Sequence, residues 1–301
     1  VADRILTAVN EIIQNPDTYQ GGFVFVGMMF YALELYADFT GGIDITIGIA
    51  ETLGITVTEN FQRPYLSKNI KEYWKRWHIT MGTWFTDYIF YPISVCKPML
   101  KISKFSRAKF GDVIGKRVPV YLSSFAVWFT TGIWHGASWN FIVWGLMNFV
   151  VIMVSQELEP LYMKFHGKFN VKEKKWYGAF EILRTIFLMS SLRMFDCYRD
   201  VPLTFRMFGN MFTHFRLQDL NAEAFLGLGL TVADYLLLFI CLILIVTVSL
   251  IQERKGSVRD LIFAAPEICR YAVFFVMVLA VIIFGAYGIG FDQSQFIYNQ
   301  F

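Results

Sequence analysis

Two uninterrupted apolar runs constrain this chain more than any other feature. Residues 231–251 carry one charge, Asp234, near one end, and residues 271–290 carry none. Each supplies the ~20 apolar residues that a helix needs to cross a bilayer core. Unpaired backbone groups are not tolerated in lipid, so such runs are helices. The composition agrees: 55% of the 301 residues are hydrophobic, 18% are aromatic and only 17% are charged, with 31 phenylalanines. Ordinary soluble domains carry roughly 25% charge. A disordered chain, a collagen-like chain and a typical soluble enzyme are thereby excluded. The net charge of +3 gives no general attraction to nucleic acid. The four cysteines, Cys96, Cys197, Cys241 and Cys269, form no CxxC pair and suggest neither a disulfide framework nor a metal site. The chain begins at Val1 without a signal-peptide pattern, as a piece cut from within a longer protein would.

Weaker spans fill in the remainder. Residues 118–134 and 139–155 form a pair split by His135-Gly136-Ala137-Ser138. Residues 22–37 are interrupted by Glu34, and residues 177–195 by Glu181, Arg184 and Arg193. The apolar stretch 83–96 is too short to cross and reads as re-entrant or interfacial. Loop charge then orients the spans. Residues 97–117 hold seven Lys/Arg against one acid, and residues 63–76, 164–175 and 252–260 are also basic. Residues 1–21 and 196–230 are acidic on balance. With the basic loops in the cytoplasm, six crossings and one dip close without conflict. The chain therefore reads as a single domain over 1–301: an all-α, polytopic integral membrane protein with re-entrant and amphipathic helices.

Within 69–81, Asn69 is a good N-cap and Glu72 follows three positions later. Ile70, Tyr73, Trp74, Trp77 and Met81 make one apolar stripe at helical spacing, with Lys71, Lys75 and Arg76 off it. That pattern predicts an interfacial amphipathic helix over the whole segment, with His78 at its border.

Ionisable groups at membrane depth are costly and mark candidate sites. His135 is the sharpest. Gly132 and Gly136 flank it and leave room for a substrate beside the ring, while Trp134, Ser138, Trp139 and Asn140 crowd around it, the tryptophans as a dry wall. A neutral imidazole there can serve as a general base, or be a hydrogen-bonded histidine at a helix turn. His78 reads alone as a headgroup contact or as a second site residue. Asp38 and Asp44, around Gly41-Gly42, can orient a base, bind a cation or cap a helix break. Asn140 and Asn148 can hydrogen-bond between helices. His166 and His214 read as solvated bystanders. The chain lacks a phosphate loop, a dinucleotide fingerprint and a GxSxG elbow.

Three blocks carry a family resemblance: YADFTGGIDITIGIAETLGI (36–55), NFQRPYLSKNIKEYWKRWHITMGTWFTDYIFYP (60–92) and GIWHGASWNFIVWG (132–145). They resemble the membrane-bound O-acyltransferase family, in its bacterial branch of alginate O-acetylases and lipoteichoic-acid D-alanyl transfer proteins. The ending FIYNQF (296–301) is similar to that branch too. The resemblance implies a multi-helix core around a transmembrane tunnel in a bacterial cell membrane. It implies further helices before the YADF block. The family's essential histidine falls on His135 and its second histidine on His78, with Trp77, Trp134, Trp139, Asn140, Asp38 and Asp44 as tunnel-lining candidates. The implied reaction moves an acyl group, foremost acetyl, from a cytoplasmic thioester such as acetyl-CoA to hydroxyls of an extracytoplasmic cell-envelope polysaccharide. The thioester is a substrate, and no bound cofactor or metal is implied, because the donor is already activated. D-alanyl transfer from a carrier-protein thioester toward lipoteichoic acid is the alternative. A separate extracytoplasmic partner, esterase-like, is also implied. A transporter or flippase without covalent chemistry is the rival of another class, and it predicts inverted repeats that the sequence does not display.

Overall fold

A computed structural model of the chain describes residues 1–286. The end of the 271–290 run and the FIYNQF ending lie outside the described residues. The described residues are helical and contain no strand, only one isolated bridge between Phe61 and Trp77.

In chain order the helices are α1 (Ala2–Gln14), α2 (Gly22–Thr52), α3 (Ile70–Arg76) and α4 (Ile79–Phe85), then a π-helical turn at Thr86–Phe90. There follow α5 (Tyr91–Val95), α6 (Lys97–Gly115), α7 (Arg117–His135), α8 (Trp139–Glu157), α9 (Glu159–Phe169), α10 (Lys175–Tyr198) and α11 (Val201–Thr213). The last four are α12 (Ala222–Leu226), α13 (Val232–Lys255), α14 (Val258–Phe263) and α15 (Glu267–Phe284). Among the described residues four helices are long and apolar enough to cross a membrane: α2, α8, α13 and α15. On α13 and α15 the large apolar side chains face outward, Phe239 and Phe274 among them. An outward apolar surface of that extent is what a bilayer solvates. Helices α7 and α10 form where spans are expected, but their polar and charged residues keep them outside that set.

Several local expectations change. The glycine pair at 41–42 does not break α2, which continues to Thr52, so Asp38 and Asp44 lie in mid-helix and cap nothing. The basic segment 97–117 is not a loop. Pro98 opens α6, Lys and Arg are good helix formers, and the chain doubles back at Gly111 (φ 75°, ψ 168°). Ser106 Oγ donates to the Gly115 carbonyl across that fold at 2.9 Å. The segment 83–96 is a run of helical turns; its π turn ends at Phe90, two residues before Pro92, whose missing N–H cannot continue a regular ladder.

The contacts divide the chain into two compact units. The first comprises Val1–Gly41 and the described residues from Arg216 onward. Ile5, Ala8, Val9 and Ile12 of α1 are buried in it. Asp234, the lone charge of the 231–251 run, forms a capping box with Thr231 and pairs with Arg4. The second unit runs from Gly42 to Phe215. Its centre is the close pair α7 and α8, with α10 and α3 against α8. That approach depends on glycine. A Cβ at Gly145 would meet the Trp128 carbonyl at 2.4 Å, and one at Gly132 would meet the Phe141 carbonyl at 2.7 Å.

Candidate active site

The site grows from two breaks in helical structure, both in the second unit. At the first, Asn69 caps α3 as expected, its side chain accepting from the Glu72 N–H at 2.9 Å, and Glu72 accepts in return from the Lys68 N–H at 2.8 Å. The helix then stops at Arg76 instead of running to Met81. Trp77 is extended and His78 takes the left-handed conformation (φ 48°, ψ 56°) before α4 begins. An L side chain in that region costs about 1–3 kcal/mol and is retained where surroundings enforce it. Asn60 is the enforcing residue. Its backbone carbonyl accepts from Ile79 N–H at 3.1 Å, and its side-chain oxygen accepts from the Thr80 N–H (3.1 Å) and hydroxyl (2.7 Å).

The same oxygen lies 3.2 Å from His78 Nδ1. Because that oxygen is an acceptor, Nδ1 carries the proton, which leaves the lone pair of the neutral ring on Nε2. Burial and the nearby Arg193 cation both hold His78 below the usual imidazole range, so the neutral form prevails at pH 7.

At the second break, His135 is the last residue of α7. Its ring centroid is 4.8 Å from Trp144, 5.0 Å from Trp134 and 6.2 Å from Phe141. Trp134 also approaches His78, at 6.2 Å, and so contacts both histidines. The spaces at Gly132 and Gly136 are not open to a substrate. The α8 backbone occupies the first and the Phe141 ring the second, where a Cβ would come within 2.6 Å.

Behind both histidines lies Arg193 of α10. Its guanidinium is 4.9 Å from the Trp144 ring, 5.1 Å from Trp77 and 5.8 Å from Trp74. Its charge is paired with Asp196 at 2.9 Å, and both side chains are buried. Trp74 also packs edge-on to Trp128, at 4.9 Å. The indole N–H groups of Trp74 and Trp144 are buried without an acceptor.

The other expected residues scatter. Asn140 is buried, accepts from Ser138 and donates to the Phe195 carbonyl at 3.3 Å, tying the start of α8 to α10. Trp77 is buried against Tyr73 and Phe61. Trp134 is 52% exposed and Trp139 75%, so neither walls off the site; Trp139 lines a cavity with Asn140, Arg199, Asp200 and Pro202. The dry wall is made by Trp144, Trp74 and Trp77 instead. Asp44 is exposed on α2, and Asp38 belongs to the first unit. His166 is not a bystander: its Nε2 shares a 2.8 Å hydrogen bond with the Tyr177 hydroxyl. Another cavity, of about 480 Å³, is lined by both neighbours of His78, Trp77 and Ile79, with Trp128, Thr131, Lys71 and Lys75. Asn60, Trp144, Arg193 and Asp196 were not legible as site residues. Each reaches the site through tertiary packing, and only the interruption of a span by Arg193 hinted at one of them.

Helical structure, bilayer-length apolar helices and a half-buried pair of histidines among tryptophans define a membrane protein with a polar site inside an apolar frame. The family model for "MBOAT, membrane-bound O-acyltransferase family" matches residues 18–198, which include both histidine segments. The chain belongs to that family. It is 28% identical over 221 residues to a probable alginate O-acetylase of Pseudomonas syringae pv. tomato, covering 72% of this chain and 36% of the relative. It is 33% identical over 136 residues to a peptidoglycan O-acetyltransferase of Helicobacter pylori (45% and 23%). It is 31% identical over 150 residues to a teichoic acid D-alanyltransferase of Bacillus subtilis (50% and 33%). The matched stretch thus spans about a third or less of these relatives' lengths.

Proposed function

We propose that this chain carries the catalytic histidines of a membrane O-acyltransferase, with an acetyl thioester as donor and hydroxyls of a cell-envelope polysaccharide as acceptor. One observation carries the reading: two segments far apart in sequence bring His78 and His135 within ring-contact distance of one tryptophan, Trp134. Acyl transfer from a thioester needs a base on the attacking hydroxyl and an environment that excludes water. His135 takes the hydroxyl proton as the oxygen bonds to the carbonyl carbon. The C–S bond then breaks, the proton passes to the leaving sulfur, and an ester and a free thiol result. His78 positions the donor. The cavity beside it, with Lys71 and Lys75 at its edge, is the donor approach, and the cavity at Trp139 is the acceptor approach.

The acceptor lies outside the cell and the donor inside, so the site sits in the cell membrane and spans the two supplies. A separate extracytoplasmic partner completes delivery to the polymer. The acetyl reading follows the two O-acetyl-transferring relatives, and the teichoic acid relative supports the second reading, D-alanyl transfer from a carrier-protein thioester. Membranes holding the full-length protein, given acetyl-CoA or a D-alanyl carrier protein, decide between them. Labelled acetyl in the polymer fraction is expected, with no D-alanyl incorporation. The reverse result would install the second reading.

A further inference from the structure

Arg193 is a buried cation that the proposed chemistry does not use. Taking a guanidinium out of water costs several kcal/mol, and apolar residues of similar volume often replace a buried ion pair without loss of stability. Asp196, three residues along the same helix, offsets the charge but does not account for the placement. The placement is explained by what the guanidinium touches. Trp74 and Trp77 belong to the segment that ends in His78, and Trp144 packs directly on His135. Helix α10 contributes neither histidine, yet its arginine contacts tryptophans from both histidine-bearing segments.

We propose that Arg193 is a positioning residue: its guanidinium makes cation–π contacts with Trp74, Trp77 and Trp144 and so fixes the spacing of His78 and His135 for acyl transfer. A guanidinium suits this task and an ammonium does not. It is planar, presents faces to aromatic rings, and still pairs edge-on with a carboxylate. The hydrogen bond from Asn140 to the Phe195 carbonyl anchors α8 two residues further along α10, so the Arg193 contacts sit in a fixed register. Reacting groups displaced by about 1 Å lose on the order of 10²-fold in rate.

The inference rests on the acyl-transfer reading, and the test separates the two. Arg193→Lys keeps the charge and its pairing with Asp196 while replacing the planar guanidinium by a compact ammonium. In the full-length protein in membranes we expect normal folded yield and kcat lowered about 10–100-fold, the cost of lost orientation, with any rise in donor KM smaller than the fall in kcat. Turnover within twofold of wild type in the folded Lys variant would overturn the proposal. Should that variant not fold, the double change Arg193→Met with Asp196→Leu removes the pair without stranding a charge; the same fall in kcat is expected, and normal turnover overturns the proposal again. Loss of fold in both variants assigns Arg193 to the fold alone and also overturns it. His135→Gln is measured alongside: transfer that survives it rejects acyl transfer by His135 itself, whereas normal Arg193→Lys with dead His135→Gln rejects only the positioning role.

Discussion

His78 keeps its left-handed backbone because one buried amide holds it. Asn60 meets three donors with a single side-chain oxygen, from His78, Thr80 N–H and the Thr80 hydroxyl. Asn60 itself is buried, and losing a hydrogen bond costs a net of about 0.5–1.5 kcal/mol of stability. Asn60→Ala should therefore lower the melting temperature and raise the donor KM, mimicking His78→Ala. Both variants should retain more activity than loss of His135, because His78 positions the donor and does not take the hydroxyl proton. Steady-state kinetics at varied donor check this; an unchanged donor KM with vanished turnover would refute that role. The sequence blocks singled out both histidines as candidates, but not Asn60. It lies 18 residues before His78, and no periodic pattern links them. The helix expected over 69–81 also hid the break, since Trp77 keeps the apolar spacing of the stripe although the backbone there is extended.

At the level of elements, α7 and α8 approach until backbone meets backbone. Gly145→Ala would place a methyl 2.4 Å from the Trp128 carbonyl, so the helices must separate. Overpacking of this kind costs about 1–3 kcal/mol. Gly41→Ala is the matched control. Nothing lies within 4 Å of a Cβ there and the residue is helical, so a gain of about 0.5–1 kcal/mol is expected. Thermal unfolding in detergent should rank Gly41→Ala at or above wild type and Gly145→Ala below it; equal stability of the two variants would contradict the packing. Sequence reading singled out Gly132 and Gly136 beside His135 correctly, but took the space they leave as room for substrate. Periodicity reports which residues lack a side chain, not which neighbour fills the gap. For α6 the error ran the other way. Seven basic residues in 97–117 signalled sidedness, and that charge obscured a helix.

For the whole molecule, the all-α membrane fold was legible because the bilayer imposes it on any run of that length and apolarity. The division into two units was not, since α2 is one continuous helix while its contacts separate near Gly41. Sidedness follows from loop charge and predicts a labelling pattern. In a cysteine-free background, single cysteines at Lys104 and Lys172 should react with an impermeant reagent only from the cytoplasmic face, and one at Glu223 only from outside. Labelling of position 104 from outside would invert the proposed topology, and with it the assignment of the donor and acceptor approaches. The central claim is narrower: a neutral His135, held by Trp144 and Trp134, takes the acceptor's proton. General-base assistance is worth about 10²–10⁴-fold. Glutamine can hold a hydrogen bond at that place but cannot accept the proton. The most direct measurement is acyl transfer by full-length His135→Gln protein with folded yield recorded in the same preparation. We predict wild-type yield with transfer reduced at least about 10²-fold, and near-normal transfer by the well-folded variant would contradict the claim.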